Sequence, residues 1–134
     1  MQPCEELKNL VLQNYAKEAA GEIREVVRNS YSQREEPILV GTDPDEWYEG
    51  YKAIYHFYEP AFSSKLVAQF EELKAFCEGS VGWTVDRVKV KFPDGLELPM
   101  SHTRIFHKEE DGWKIVHNHV SILIPNEKLE ALTS

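Results

Sequence analysis

Apolar residues recur at helical spacing through the first quarter of the chain. Between Glu5 and Ser32 there is no proline and one glycine, Gly21. On either side of Gly21 the apolar positions are three or four residues apart, which places them on one face of a helix. The pattern predicts one long helix or two helices divided at Gly21. The apolar positions are Leu7, Leu10, Val11 and Tyr15, then Ile23, Val26, Val27 and Tyr31.

A short apolar strand and a further helix are expected next. The segment 37–40 reads Pro-Ile-Leu-Val, and the segment 41–45 reads Gly-Thr-Asp-Pro-Asp, which is typical of a turn before a helix. The helix is expected from about Asp45 to Tyr58, with an apolar stripe that includes Trp47. Pro60 is expected to disrupt it, and a helical turn could continue to Leu66.

The second half of the chain alternates apolar and polar residues. Strands are expected over 67–77, whose centre could also be helical, and over 80–92, 97–107 and 113–124. The parity of the apolar residues changes within 80–92, which predicts a bulge near Asp86. A short helix or tail is expected from position 125. Helices followed by an antiparallel meander predict an α+β fold in a single domain spanning residues 1–134.

Composition excludes several classes of partner. The chain carries 15 Lys and Arg against 23 Asp and Glu, a formal net charge of −8, which argues against nucleic acid and anionic membranes. Cys4 and Cys77 are far apart in the sequence and fit no metal spacing, so neither a metal site nor a disulfide framework is expected. This cysteine usage favours a cytoplasmic location. No cofactor is expected. There is no basic and apolar leader and no apolar run of about 18 residues, so we expect no secretory signal and no membrane span.

The most conspicuous candidate chemistry lies near the C-terminal end, in the sequence GWKIVHNHVS at 112–121. His117, His119 and Ser121 share a strand face with Trp113 and Ile115. Imidazoles can transfer protons near neutral pH, so this face could line a catalytic pocket. The alternative is a structural or subunit-interface role, and this alternative is favoured. If Trp113 and Ile115 point inward, both histidines follow them unless a bulge intervenes.

Three further residues suggest a polar site in the sheet. His102 and Arg104 share a face of the preceding strand, where an inward Arg104 would clamp an anion and an outward one would be solvated. Asp86 is the one obvious mid-strand aspartate, and it could orient His117 or His119.

Aromatic and acidic residues have structural explanations beside functional ones. Trp47 and Trp83 would floor a pocket for a flat ligand or pack in the core. Asp43, Asp45 and Glu46 are explained by the preference for acidic residues at a helix start.

Three segments carry a resemblance to a known superfamily: LVGTDPDEWYEGYKAI at 39–54, GSVGWTVDRVKVKFPDGLELP at 79–99 and TRIFHKEEDGWKIVHNHVS at 103–121. They resemble the SnoaL-like branch of the nuclear transport factor 2-like (NTF2-like) superfamily, over about residues 5–127. The resemblance implies a cone in which a curved antiparallel sheet wraps around the N-terminal helices, with a pocket between them. It also implies a homodimer formed through the outer face of the sheet.

The resemblance leaves two functions open, because this fold hosts several activities. One is a binding or assembly module that takes a small, largely apolar or aromatic molecule. The other is an isomerase, cyclase or dehydratase with a pocket histidine as general acid or base. The carboxylate base of the related ketosteroid isomerases is not expected, since the strand at 37–40 is apolar. The expected pocket residues are Trp47, Trp83, His102, Arg104, His119 and Ser121, and the catalytic ones, for an enzyme, are His117, His119 and Asp86.

Overall fold

Three helices pack against one face of a long, curved sheet in the computed structural model, which describes residues 1–61 and 67–133. The sheet has the strand order β1-β4-β5-β6-β7-β2-β3. All neighbouring strands are antiparallel except β2 and β7, which are parallel. The fold is therefore the expected α+β cone. The elements are β1 (Gln2–Pro3), α1 (Glu5–Ala19), α2 (Ile23–Ser30), β2 (Ile38–Val40), β3 (Trp47–Glu49), α3 (Tyr51–Ala61), β4 (Val67–Glu78), β5 (Val81–Lys91), β6 (Glu97–Glu109), β7 (Gly112–Ile122) and α4 (Asn126–Thr133).

The N-terminal helical segment is divided at Gly21. This glycine has φ 87°, a left-handed conformation that residues with a Cβ rarely adopt. The chain therefore leaves α1 after Ala19 and enters α2 at Ile23 in a new direction. The division is one of the two arrangements that the apolar pattern allowed.

The core forms where α1 lies directly on the sheet. Leu7 and Val11 of α1 are buried, together with Phe106 and Ile115 of the sheet. A Cβ at Gly82 of β5 would collide with the Leu7 side chain, so the glycine allows helix and strand to approach closely. The close contact at this end leaves a cavity at the other end, between the helices and the sheet.

The predicted helix from Asp45 is wrong in its first turn. Residues 47–49 form β3, which pairs with β2, and the helix begins only at Tyr51. Gly50 has φ 95°, which provides the sharp change from strand to helix. The acidic residues before β3 instead organise a loop: Glu46 Oε1 accepts the backbone N–H groups of Thr42 and Asp43, both at 3.0 Å. The predicted turn up to Leu66 lies outside the described residues.

Two bulges determine which side chains face the helices. The inward face of β5 runs through Gly82, Thr84, Asp86, Val88 and Val90 without a change of parity. The predicted bulge in β5 is therefore wrong, and the irregularity lies in the neighbouring strand β4, between Phe70 and Glu72. The apparent change of parity in the sequence arises because β5 carries apolar residues on both of its faces.

A second bulge interrupts β7. Ile105 pairs with His117 and Phe106 pairs with Ile115, so Val116 is an extra residue in β7. Before the bulge Ile115 is buried, and after it Asn118 is the buried residue. The bulge therefore inverts the parity of the last half of the strand.

The last helix, α4, differs from the other three because it buries none of its residues. Within 1–61 and 67–133, no helix has the length and apolarity needed to cross a bilayer.

Candidate functional site

A cavity of about 370 Å³ lies between the helices and the sheet. Its size is that of a pocket for a small organic molecule. The wall is largely apolar and aromatic, and a few polar groups converge on it. The aromatic lining residues are Tyr15, Tyr31, Phe57, Tyr58 and Phe92, and the polar or charged ones include Asn14, Glu18, Glu46, His102, Arg104 and Asn118.

A buried carboxylate organises the polar side of the cavity. The side chain of Asp86 has no solvent exposure, and its Oδ1 lies 2.8 Å from Nδ1 of His102. Its Oδ2 accepts hydrogen bonds from Arg104 Nη1 at 2.8 Å and from the Tyr15 hydroxyl at 2.9 Å. Asp86 and His102 are directly paired across β5 and β6, and Arg104 is two residues farther along the same face of β6. The pairing register therefore brings the three sheet residues together beneath Tyr15 of α1.

The hydrogen bonds define where the proton of His102 sits. If Nδ1 of His102 had no proton, it and Asp86 Oδ1 would be two acceptors 2.8 Å apart and would repel each other. We therefore assign the proton to Nδ1, which donates a hydrogen bond to Asp86. The Tyr15 oxygen in turn accepts a hydrogen bond from Arg104 Nη2 at 2.9 Å. Across the described part of the chain, Nε2 of His102 has no hydrogen-bond partner, and the ring lines the cavity. The free lone pair of Nε2 is therefore available to a ligand.

Burial and neighbouring charges keep this cluster in one protonation state. Burial and the charge of Arg104 lower the pKa of His102, although Asp86 opposes them, so the ring is neutral near pH 7. Burial alone would raise the pKa of Asp86, but the His102 hydrogen bond and the Arg104 charge lower it to about 2. The pKa of Tyr15 is raised, mainly by burial, so its hydroxyl keeps its proton. The cluster thus presents a neutral imidazole held by an ionised carboxylate.

Arg104 is already paired within the protein. Its two terminal nitrogens donate to Asp86 and Tyr15, and its guanidinium lies 5.3 Å from the centre of the Tyr15 ring. The structure places Arg104 in the cavity wall, which is the inward orientation considered from the sequence. Its two terminal nitrogens are already used in hydrogen bonds within the protein. The anion clamp proposed from the sequence is therefore corrected to an internal ion pair.

Glu18 is a second carboxylate of the cavity wall, one helical turn beyond Tyr15 on α1. Burial raises the pKa of Glu18 to about 7, with Arg104 lowering it in part. In residues 1–61 and 67–133, no hydrogen bond or ion pair reaches its carboxylate. Near neutral pH it therefore exists in both the acid and the ionised form.

Hydroxyl and amide groups extend the polar surface along the cavity. Asn118 Nδ2 donates to the Tyr31 hydroxyl at 2.9 Å, and the Tyr31 and Tyr58 oxygens are 3.4 Å apart. Burial raises the pKa of both tyrosines, so both remain protonated donors. The bulge at Val116 is what places Asn118 on this face.

The two histidines singled out in GWKIVHNHVS lie outside the cavity. After the bulge, His117, His119 and Ser121 point to the outer face of the sheet. The expected pocket residues His119 and Ser121 and the catalytic candidate His117 are therefore corrected to outer-face residues. His117 Nδ1 donates to the Ile38 carbonyl at 2.8 Å, while His119 and Ser121 are exposed. Asp86 pairs with His102, so it does not orient either of the two.

The two tryptophans proposed as a pocket floor are also elsewhere. Trp47 is 61% exposed on the edge strand β3. Trp83 has the outward parity of β5 and stacks on Phe76 with ring centres 5.0 Å apart. Neither belongs to the cavity wall, so the prediction that they form the floor of the pocket is wrong. Of the six expected pocket residues, the structure brings His102 and Arg104 together in the wall.

Sequence reasoning missed the three polar residues that α1 contributes to the cavity, Asn14, Tyr15 and Glu18. Tyr15 lies four residues after Val11 and therefore falls on the apolar stripe of the helix. Glu18 lies three residues after Tyr15 and so faces the same side of the helix. A carboxylate on the apolar face of an amphipathic helix is the signal that could have identified the site. Within the described residues, no cluster of three or more His, Cys, Asp or Glu side chains could hold a metal ion.

The helices, the curved sheet and the cavity together define an NTF2-like cone. The model of the SnoaL-like domain family matches residues 12–125. The chain therefore belongs to the SnoaL-like domain family of the NTF2-like superfamily. Among curated proteins, nothing matches the chain.

Solved structures agree with this fold at low sequence identity. An NTF2-like protein of unknown function from Pseudomonas putida is 14% identical with a TM-score of 0.80, over 92% of this chain and 89% of that one. A protein from Streptomyces avermitilis, proposed to be a dehydratase, is 11% identical with a TM-score of 0.80, over 90% and 96% of the two chains. A protein from Shewanella frigidimarina, proposed to be a ketosteroid isomerase, is 19% identical with a TM-score of 0.68, over 84% and 92%. These similarities establish the fold.

Proposed function

We propose that the cavity binds a small organic molecule and that His102 removes a proton from it. The carrying observation is the 2.8 Å contact of His102 Nδ1 with Asp86, which leaves Nε2 as a base in the cavity wall. Asp86 orients the ring and would stabilise the imidazolium that forms during transfer. The apolar wall excludes competing water from the reacting atoms.

The class of reaction follows from what such a base can do. Isomerisation, dehydration and cyclisation of carbonyl compounds commonly begin with removal of a proton from the carbon beside the carbonyl. The Tyr31 and Tyr58 hydroxyl pair would donate a hydrogen bond to the oxygen that becomes negative, because the Tyr15 hydroxyl already donates to Asp86. The named dehydratase and isomerase among the structural neighbours are compatible with this class, but the proposal rests on the Asp86–His102 pair.

Binding without turnover is the second candidate function. The observation in its favour is that Asp86, Arg104 and Tyr15 satisfy one another, as they would in a purely structural network. In that case His102 would only hydrogen-bond the ligand.

The test uses 2-tetralone, an apolar bicyclic ketone whose α-protons exchange with deuterium when a base removes them. Proton NMR in D₂O follows the exchange, and ligand-observed NMR follows binding in the same samples. We expect the wild type to accelerate exchange, and His102→Gln to lose about a hundredfold of that acceleration, because a positioned base contributes on that order. His117→Gln is the matched control, since it removes an imidazole from the outer face, and it should exchange as the wild type does.

The outcomes separate the two candidates. If 2-tetralone binds but wild type and His102→Gln exchange it alike, the cavity is a binding site without a catalytic base. If it does not bind at all, the cavity is not a site for apolar carbonyl compounds.

A homodimer in the cytoplasm is a further part of the proposal. The outer face of the sheet carries a row of paired apolar neighbours on three adjacent strands, Phe76, Trp83 and Ile105. An apolar row of this kind on an uncovered sheet face is suited to a second copy of the chain. The chain has only two cysteines, so it carries no dense disulfide framework of the kind common in small secreted domains, and this fits a reducing compartment.

A further inference from the structure

Glu18 differs from the other carboxylates of the cavity because it has no hydrogen-bond or ion-pair partner among the described residues. Asp86 accepts hydrogen bonds from three side chains, and Glu46 accepts backbone N–H groups of its own loop. Lys17, the neighbouring cation on α1, pairs instead with Glu25 at 3.9 Å. Glu18 is only partly exposed, at the wall of the cavity. A carboxylate that is partly removed from water and has no partner is unfavourable, and a bound group of opposite charge would offset that cost.

The nearby cation does not already fill this role. Arg104 directs both terminal nitrogens to Asp86 and Tyr15, and it forms no hydrogen bond to Glu18. Its charge lowers the pKa of Glu18, but burial outweighs that effect and raises the value to about 7. Since Asp86 neutralises Arg104, the charge of an ionised Glu18 remains uncompensated. The negative charge of Glu18 would repel an anionic ligand and attract a cationic one.

Aromatic groups line the same cavity as Glu18. They include Tyr15, which lies one helical turn before Glu18 on α1, and the tyrosines Tyr31 and Tyr58. Aromatic ring faces attract cations, most strongly where water is excluded. An organic cation would thus find a carboxylate and polarisable rings in one cavity.

We propose that the ligand of this cavity carries a positively charged amine that pairs with Glu18, while its apolar part lies against the aromatic wall. This inference rests on the proposed function, because it assumes that the cavity binds a small molecule. It adds the chemical class of that molecule. It also assigns Glu18 as the residue that determines specificity.

The test compares three probes that share one aromatic ring and differ in charge: 2-phenylethylamine, 2-phenylethanol and phenylacetate. At pH 8 the amine is a cation, the alcohol is neutral and phenylacetate is an anion. Dissociation constants come from calorimetry or ligand-observed NMR with the intact chain. We expect the amine to bind about tenfold more tightly than the alcohol, the range of a hydrogen bond between charged groups, and phenylacetate to bind most weakly.

Two variants assign the preference to one carboxylate. Glu18→Gln keeps the shape of the side chain and should bring the amine to within twofold of the alcohol, with the affinity for the alcohol unchanged. Glu22→Gln is the matched control. Glu22 is exposed, and its side chain makes no capping hydrogen bond at the start of α2. Glu22→Gln changes the net charge of the protein by the same amount as Glu18→Gln, and it should keep the full preference for the amine.

Each other result has a defined meaning. Equal binding of amine and alcohol by the wild type would overturn the inference and leave the cavity as a site for neutral molecules. Tightest binding of phenylacetate would overturn it in favour of Arg104 as an anion site. A preference that survives in Glu18→Gln would show that the overall charge of the protein causes it. If none of the three probes binds while 2-tetralone does, the inference fails and the proposed function stands. If 2-tetralone does not bind either, both fail.

Discussion

Asp86 is the residue on which the polar side of the cavity depends. Its two oxygens hold His102, Arg104 and Tyr15, so it sets the tautomer of the imidazole and neutralises the guanidinium at the same time. Removing it would leave a buried arginine unpaired, which is usually more costly than losing the pair as a whole. Asp86 therefore has a structural role and a positioning role that a single substitution cannot separate. This is why the tests above use His102 and Glu18.

At the residue scale, the pH dependence of stability should report on Glu18. Its pKa rises from an ordinary 4.5 to about 7 in the folded protein, so the folded state binds this proton more tightly than the unfolded state does. The stabilisation of the folded state by this proton is complete below about pH 4.5 and is lost as the pH rises through about 7. Glu18→Gln cannot ionise, so it should gain stability relative to the wild type between pH 4 and pH 8. The gain is at most about 3 kcal/mol, less where solvent screens the carboxylate.

Chemical denaturation at several pH values measures this difference. The groups around Glu18 are Arg104 and Asp86 of the sheet and the phenol groups of the three cavity tyrosines. All of them are present in both proteins, so the difference isolates Glu18. A difference that stays constant from pH 4 to pH 8 would show that Glu18 titrates as an exposed residue.

At the scale of single elements, the sequence predicted most of the fold. Gly21 marks the division between the first two helices, and the four long strands lie where the alternation placed them. The error at 45–50 has a local cause. Trp47 to Glu49 pair with β2, and this pairing outweighs the helical pattern that includes Trp47. Such tertiary pairing is not visible in the local spacing of residues.

The site was predicted only in part, because of one element. The sequence marks His102, Arg104 and Asp86 as candidates, but it offers His117 or His119 as the possible partner of Asp86. The bulge at Val116 moves both of those histidines to the outer face, and periodicity alone does not locate a bulge. The partner of Asp86 is set instead by the register of β5 with β6, which places it directly opposite His102.

At the scale of the whole molecule, the two faces of the sheet differ in what they carry. The inner face carries the cavity, and the outer face carries the aromatic and aliphatic row through Trp83 and Ile105. Ile105 is 37% exposed in the single chain. We expect light scattering at micromolar concentration to give twice the 15.5 kDa chain mass.

The outer face can be tested with a matched pair of substitutions. Ile105→Asp should convert the dimer to a folded monomer, because it places a charge in the proposed interface. Leu12→Asp introduces the same charge at a residue of similar exposure, 38%, on α1, and should remain dimeric. A wild-type protein that sediments as a monomer, or a dimer that survives Ile105→Asp, would contradict this surface.

The central claim, a neutral His102 held by Asp86 with its second nitrogen free in the cavity, can be tested most directly by nitrogen-15 NMR of the histidine rings. At pH 7 the ring of His102, assigned by its loss in His102→Gln, should show a protonated Nδ1 and an unprotonated Nε2, because Nδ1 donates to Asp86 at 2.8 Å. A proton on Nε2 of a neutral ring, or a ring that is an imidazolium at pH 7, would contradict the account.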